Sequence, residues 1–110
     1  MLERDVEAYL VKRCKEIGAH RDKFVSPARR NVPDDLLIYG GRVVFVEVKA
    51  PGKKPSEAQM RDHERRRNAG AEVVWLDSKE AVDVMIDALR KNQWLSAFAG
   101  RVDENFKVLC

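Results

Sequence analysis

The stretch "LLIYGGRVVFVEVK", residues 36–49, constrains this chain more than any other part of it. Two apolar runs rich in β-branched and aromatic residues flank a Gly-Gly pair, the signature of a β-hairpin with a two-residue turn. A turn that short fixes the pairing. With Gly40 and Gly41 as the loop, Tyr39 opposes Arg42, Leu36 opposes Phe45, and Asp34 stands opposite Glu47. Side chains alternate along a strand, so parity decides the face on which each one lies. Asp34, Glu47 and Lys49 therefore share one face at one end of the hairpin. Asp35, opposite Val46, belongs to the other face.

The flanking sequence supplies helices for both faces. Val6, Tyr9, Leu10, Cys14 and Ile17 recur at three- and four-residue spacing, which predicts an amphipathic helix over residues 3–17 stopped by Gly18. Residues 19–33 are polar and hold Pro27 and Pro33; a short strand near "KFV" followed by a loop is expected. Pro51, Gly52 and Pro55 break the chain, and Ser56 with Gln59 forms a capping-box pattern that starts a second helix ending at Gly70. "AEVVWL" reads as a buried strand. Asp77 or Ser78 then caps a helix with Ala81, Val84, Met85, Ala88 and Leu89 on its apolar face. In residues 92–110, "FKVLC" suits a short edge strand, and Trp94, Leu95 and Phe98 suit a dimer contact.

A strand, a helix and a further strand imply a right-handed crossover that places 42–49 and 72–76 in one sheet. The expected fold is a single α/β domain over 1–110: a small mixed central sheet flanked by helices. No apolar run approaches the ~20 residues of a membrane span. The acidic start "MLERDVEAYL" lacks a signal-peptide pattern, so an intracellular location is expected. Cys14 reads as a core residue and Cys110 as an exposed thiol, with no disulfide framework and no zinc spacing. His20 and His63 are not spaced as a metal pair and read as surface or binding residues. Trp75 and Trp94 read as packing or interface residues.

The chemistry lies in the charges of the hairpin. Directly opposed residues have Cβ atoms about 5 Å apart, and two carboxylates so placed repel when both are ionised. A hard divalent cation relieves this better than one ammonium, and Mg²⁺ characteristically takes one or two carboxylates and completes its shell with water and substrate phosphate. Such an ion acidifies water and stabilises charge on a phosphate. Lys49 beside it would position the attacking water or steady the developing charge. A bare E-x-K arises by chance in roughly one of three chains this long, so the register and not the tripeptide carries this reading. A buried Glu-Lys ion pair is the structural alternative. The net charge of +3 is mild, but "HRDKFVSPARR" and "KAPGKK" flank the hairpin with basic residues on both sides.

Pro33-Asp34 followed by Glu47-Val48-Lys49 resembles the PD-(D/E)xK nuclease superfamily with its restriction-endonuclease-like core. The wider run, "DVEAYLVKRCKEIGA", "KFVSPARRNVPDDL", "GGRVVFVEVKAPGKKPSEAQ" and "NAGAEVVWL", resembles its virus-type replication-repair nuclease branch, VRR-NUC, over about residues 3–76. The resemblance implies Mg²⁺ or Mn²⁺ held by Asp34, Glu47 and the Val48 carbonyl, with Lys49 as catalytic lysine. It implies that Glu7 approaches the metal through water, although helix periodicity alone makes Glu7 an ordinary exposed residue. It places Gln59 near the site, beside its capping role. Two departures stand out: Asn31 replaces a usual Gly, and Asp35 a usual basic residue. Asn tolerates the left-handed backbone. The implied activity is that of an endonuclease on DNA, with Lys23, Arg29, Arg30, Lys53 and Lys54 as phosphate contacts. Likeness to Holliday-junction resolvases implies branched DNA and a homodimer, in a bacterial or viral setting. A non-catalytic DNA-binding module on the same fold is the alternative.

Overall fold

A computed structural model of the chain describes residues 1–26, 28 and 31–93 in full, and the backbone of 98–102 and 108–109. The elements run α1 (Glu3–Ile17), β1 (His20–Lys23), β2 (Asp35–Tyr39), β3 (Arg42–Val48), α2 (Glu57–Asn68), β4 (Glu72–Leu76), α3 (Lys79–Arg90), β5 (Phe98–Val102) and β6 (Val108–Leu109). The main sheet has the order β1-β2-β3-β4, and β5 and β6 form a separate antiparallel pair. Strands β1, β2 and β3 are antiparallel, while β4 lies parallel to β3 after the α2 connection.

The hairpin has the register that its turn dictates: Tyr39 pairs with Arg42, Leu36 with Phe45 and Asp35 with Val46. Gly40 and Gly41 take φ of 58° and 79°, the paired left-handed conformations that suit a two-residue loop to strand twist. No atom obstructs a Cβ at either position, so a substitution there meets a backbone penalty alone. Gly41→Ala is expected to cost about 1–2 kcal/mol, read in urea denaturation as a lower midpoint with an unchanged slope. Asn31 also has positive φ, at 62°, so Asn serves here in the role usually given to Gly.

Parity divides the core. Leu37, Val44, Val46, Val48, Val74 and Leu76 point to the face covered by α1 and α3, where Val6, Leu10, Cys14, Met85 and Ile86 join one cluster. α2 covers the opposite face of β3 and β4. Its capping box is complete: Ser56 Oγ accepts from the Gln59 N–H at 3.1 Å, and Gln59 Oε1 accepts from the Ser56 N–H at 2.8 Å. Ser78, rather than Asp77, caps α3 by accepting from Ala81 N–H at 3.0 Å.

Two expectations are corrected. The first strand, expected near "KFV", lies at His20–Lys23 and shares only Lys23 with that run, because pairing with Asp35–Ile38 sets its position; Val25 is exposed. The buried side of α3 includes Val82 and Ile86, with Val84 only half-buried. α3 packs against α1 as well as the sheet, which widens its buried arc beyond a single stripe. Cys14 is buried as expected, and burial pushes its thiol up to about 11. Among the described residues no helix is long and apolar enough to cross a membrane. Arg29, Arg30, Trp94, Leu95, Cys110 and the side chain of Phe98 lie outside the described residues.

Candidate active site

The two adjacent aspartates part company at the start of β2. Asp35 turns toward the α1 face and is fully buried. Its Oδ1 accepts from Arg21 Nε at 2.8 Å, and Arg21 Nη2 also reaches Glu7 Oε1 at 2.8 Å. Burial raises the Asp35 carboxyl, and the Arg21 charge opposes that shift. Lys23 Nζ adds contacts of 3.1 Å to both oxygens of Glu7. Glu7 is thus held by Arg21 and Lys23 in an ion-pair network that ties α1 to β1 and β2.

Asp34 turns the other way. Its Oδ2 accepts from the Val48 N–H at 3.3 Å, and its carboxyl interacts directly with that of Glu47. Glu47 is only 1% exposed. Lys49 Nζ lies 3.9 Å from Glu47 Oε2. The hairpin thus brings together Asp34, Glu47 and Lys49, as the register predicts. Phe24 N–H donates to the Asp34 carbonyl at 2.7 Å, which fixes the backbone at the first aspartate. Phe24 and Phe45 pack at 5.5 Å, and the Arg66 guanidinium of α2 lies 5.5 and 4.9 Å from their ring centres. Asp62 orients that guanidinium through a 2.8 Å bond to Nε. α2 is therefore pinned to the strands that carry both carboxylates.

His63 is the site residue that the sequence reading missed. The expectation of a surface or binding role is corrected: the side chain is fully buried, with Nε2 3.6 Å from Glu47 Oε1. It lies one turn beyond Gln59, so i,i+4 spacing from Gln59 was the available signal. α2 carries no apolar stripe to show which of its polar residues face inward. Burial lowers the His63 pKa to about 4, with the Arg67 charge next in effect. Gln59 itself is engaged in the capping box. Trp75 is buried in β4, as a packing residue should be. Lys53 and Lys54 are exposed in the turn between β3 and α2, and Lys23 is exposed beside Glu7.

The donor set suits a hard cation. Burial, followed by the neighbouring Asp34 carboxyl, raises Glu47 to about 9, while Lys49 opposes the shift. Glu47 Oε1 has no hydrogen-bond partner among the described residues. A buried carboxyl beside a second carboxyl is poorly satisfied by one lysine at 3.9 Å and well satisfied by a divalent ion. Among the described residues no three or more His, Cys, Asp or Glu side chains converge as a metal cage. An ion here would be held by two carboxylates and main-chain oxygen, within the habit of Mg²⁺.

No family model matches the chain. It is 43% identical over 84 residues to "Putative nuclease p44" of Acyrthosiphon pisum secondary endosymbiont phage 1, covering 76% of this chain and 90% of that protein. A solved structure described as a VRR_NUC domain superposes with a TM-score of 0.72 at 36% identity, covering 77% of this chain and 94% of the other.

Proposed function

Because the chain belongs to the VRR-NUC family of nucleases, we propose that it is a metal-dependent endonuclease that hydrolyses phosphodiester bonds in DNA. The observation that carries the reading is the convergence of Asp34, Glu47 and Lys49 at one end of the β2–β3 hairpin. Asp34, Glu47 and the Val48 carbonyl would hold Mg²⁺ or Mn²⁺, which when bound makes water more acidic and stabilises charge on a phosphate. Lys49 lies at the mouth of the site with its side chain 18% exposed, so its ammonium can orient a water or meet a charged phosphate oxygen. Gln59, held in the capping box of α2, and Glu7, paired with Arg21 and Lys23, would have supporting roles, Glu7 toward the metal through water.

Lys23, Lys53 and Lys54, with Arg29 and Arg30, would contact phosphates on either side of the hairpin. Binding is then dominated by the DNA backbone and falls steeply with salt. A chain of 110 residues offers little surface for a branched substrate, and a two-fold homodimer would present paired sites to two strands. The phage source of the relative agrees with a viral or bacterial origin and an intracellular place of action.

The test is cleavage of four-way, flap and linear duplex DNA with Mn²⁺ or Mg²⁺ and with EDTA, beside Lys49→Ala. Cleavage of branched DNA that requires metal is expected, with Lys49→Ala slower by about 10²–10³-fold, the scale for removing one group that stabilises transition-state charge. Binding without cleavage at every metal concentration would favour the non-catalytic module. A monomer in analytical ultracentrifugation with DNA present would remove the two-fold arrangement.

A further inference from the structure

We infer that His63 is a positioning residue of this centre: its Nε2, 3.6 Å from Glu47 Oε1, restrains that carboxylate so that Oε2 stays turned toward Lys49. The inference rests on the nuclease reading above and assigns a task to a residue outside the hairpin motif.

The geometry gives Glu47 two sides. Oε2 faces Lys49 at 3.9 Å, and Oε1 faces His63 at 3.6 Å. At 3.6 Å the imidazole and the carboxylate are not hydrogen-bonded. Neither His63 nitrogen nor Glu47 Oε1 has a hydrogen-bond partner among the described residues, and all three atoms are buried. Leaving a buried polar atom unpaired costs about 1–3 kcal/mol. An aromatic hydrocarbon side chain at this position would bring no buried nitrogen that needs a partner. A ring that merely packed would have no reason to place a nitrogen against the metal-binding carboxylate.

The remaining gap is small. The terminal torsion of a glutamate is broad, so a modest rotation of the carboxylate brings Oε1 within reach of Nε2. Once held there, the carboxylate no longer rotates freely, and Oε2 stays in place for the ion. The partner is itself rigidly placed. His63 follows the capping box of α2 by one turn, and Arg66, three residues on, locks the helix against Phe24 and Phe45. Hydrogen bonds of this kind to metal-binding carboxylates are worth about 10–100-fold in metal affinity or activity.

The experiment is a calorimetric titration of the DNA-free full chain with Mn²⁺, comparing wild type, His63→Phe and His63→Gln, with thermal melts of each in EDTA. His63→Phe should bind Mn²⁺ about 10–100-fold more weakly, and its melt in EDTA reads separately what the larger ring costs the buried site. His63→Gln carries an N–H at the distance of Nε2 and should recover affinity to within about threefold of wild type. Wild-type affinity in His63→Phe would overturn the inference while leaving the nuclease reading intact. No Mn²⁺ binding by wild type would overturn the metal reading and the inference together. Imidazole ¹⁵N NMR of wild type with Mg²⁺ requires no variant to fold. The Nε2–H tautomer is expected at His63, and the Nδ1–H tautomer would overturn the assignment.

Discussion

Asp34→Ala is expected to lower DNA cleavage by about 10²–10³-fold or more with little change in melting temperature, and Asp35→Ala to do the reverse. The two residues are neighbours in sequence and alike in chemistry, so the contrast isolates the effect of the sheet face. Asp34 makes one long hydrogen bond to Val48 N–H and sits against Glu47, so its removal relieves a carboxyl pair and loses little structure. Asp35 is fully buried and paired with Arg21. Removing one partner of a buried pair costs about 3–5 kcal/mol, reduced here because Arg21 keeps Glu7. For a domain of this size that corresponds to a fall of about 10 °C or more in melting temperature. Circular-dichroism melts and single-turnover cleavage on the same preparations read both effects. An Asp35→Ala protein that melts like wild type but fails to cut would reverse the assignment of the two aspartates.

The metal-free protein is expected to lose thermal stability as pH rises from 6.5 to 9, with Mg²⁺ restoring most at the upper end. Glu47 has a folded pKa of about 9, above the ~4.3 of an unfolded glutamate. Between those values the folded chain holds a proton that the unfolded chain has released, so stability falls with rising pH. His63 acts in the opposite sense. Its folded value of about 4 lies below the ~6.5 of an unfolded histidine, so its contribution rises from pH 4 to 6.5 and is level above that. Above pH 6.5 Glu47 is therefore the one of the pair that still titrates. A bound cation favours the ionised carboxylate and stabilises the folded state by mass action. Differential scanning calorimetry in EDTA and in Mg²⁺ across this range gives the comparison, and Glu47→Gln should flatten the metal-free profile. A wild-type profile as flat as that of the variant would sink the account.

Much of the site was legible because it is a matter of counting. Gly40-Gly41 permits a two-residue turn, the turn fixes pairing, and pairing with a two-residue pleat places Asp34, Glu47 and Lys49 together. The capping box at Ser56 and Gln59 was equally local, since its donors and acceptors lie three residues apart. These features need only the geometry of a few neighbouring residues.

Other features depend on which surfaces meet. β1 was displaced from its expected position because an edge strand is located by its partner and not by its own polar sequence. Arg21 gained its importance from Asp35 and Glu7, which come from β2 and α1. His63 sits in "EAQMRDHERRRN", a helix with no apolar stripe to show its inner face. Sequence alone determined that Asp34 joins Glu47, because backbone periodicity enforces it over a short span. Tertiary structure alone decided that His63 lies beneath Glu47 and that Asp35 closes on Arg21. The burial of a polar residue is set by contacts between distant elements, and no local period encodes them.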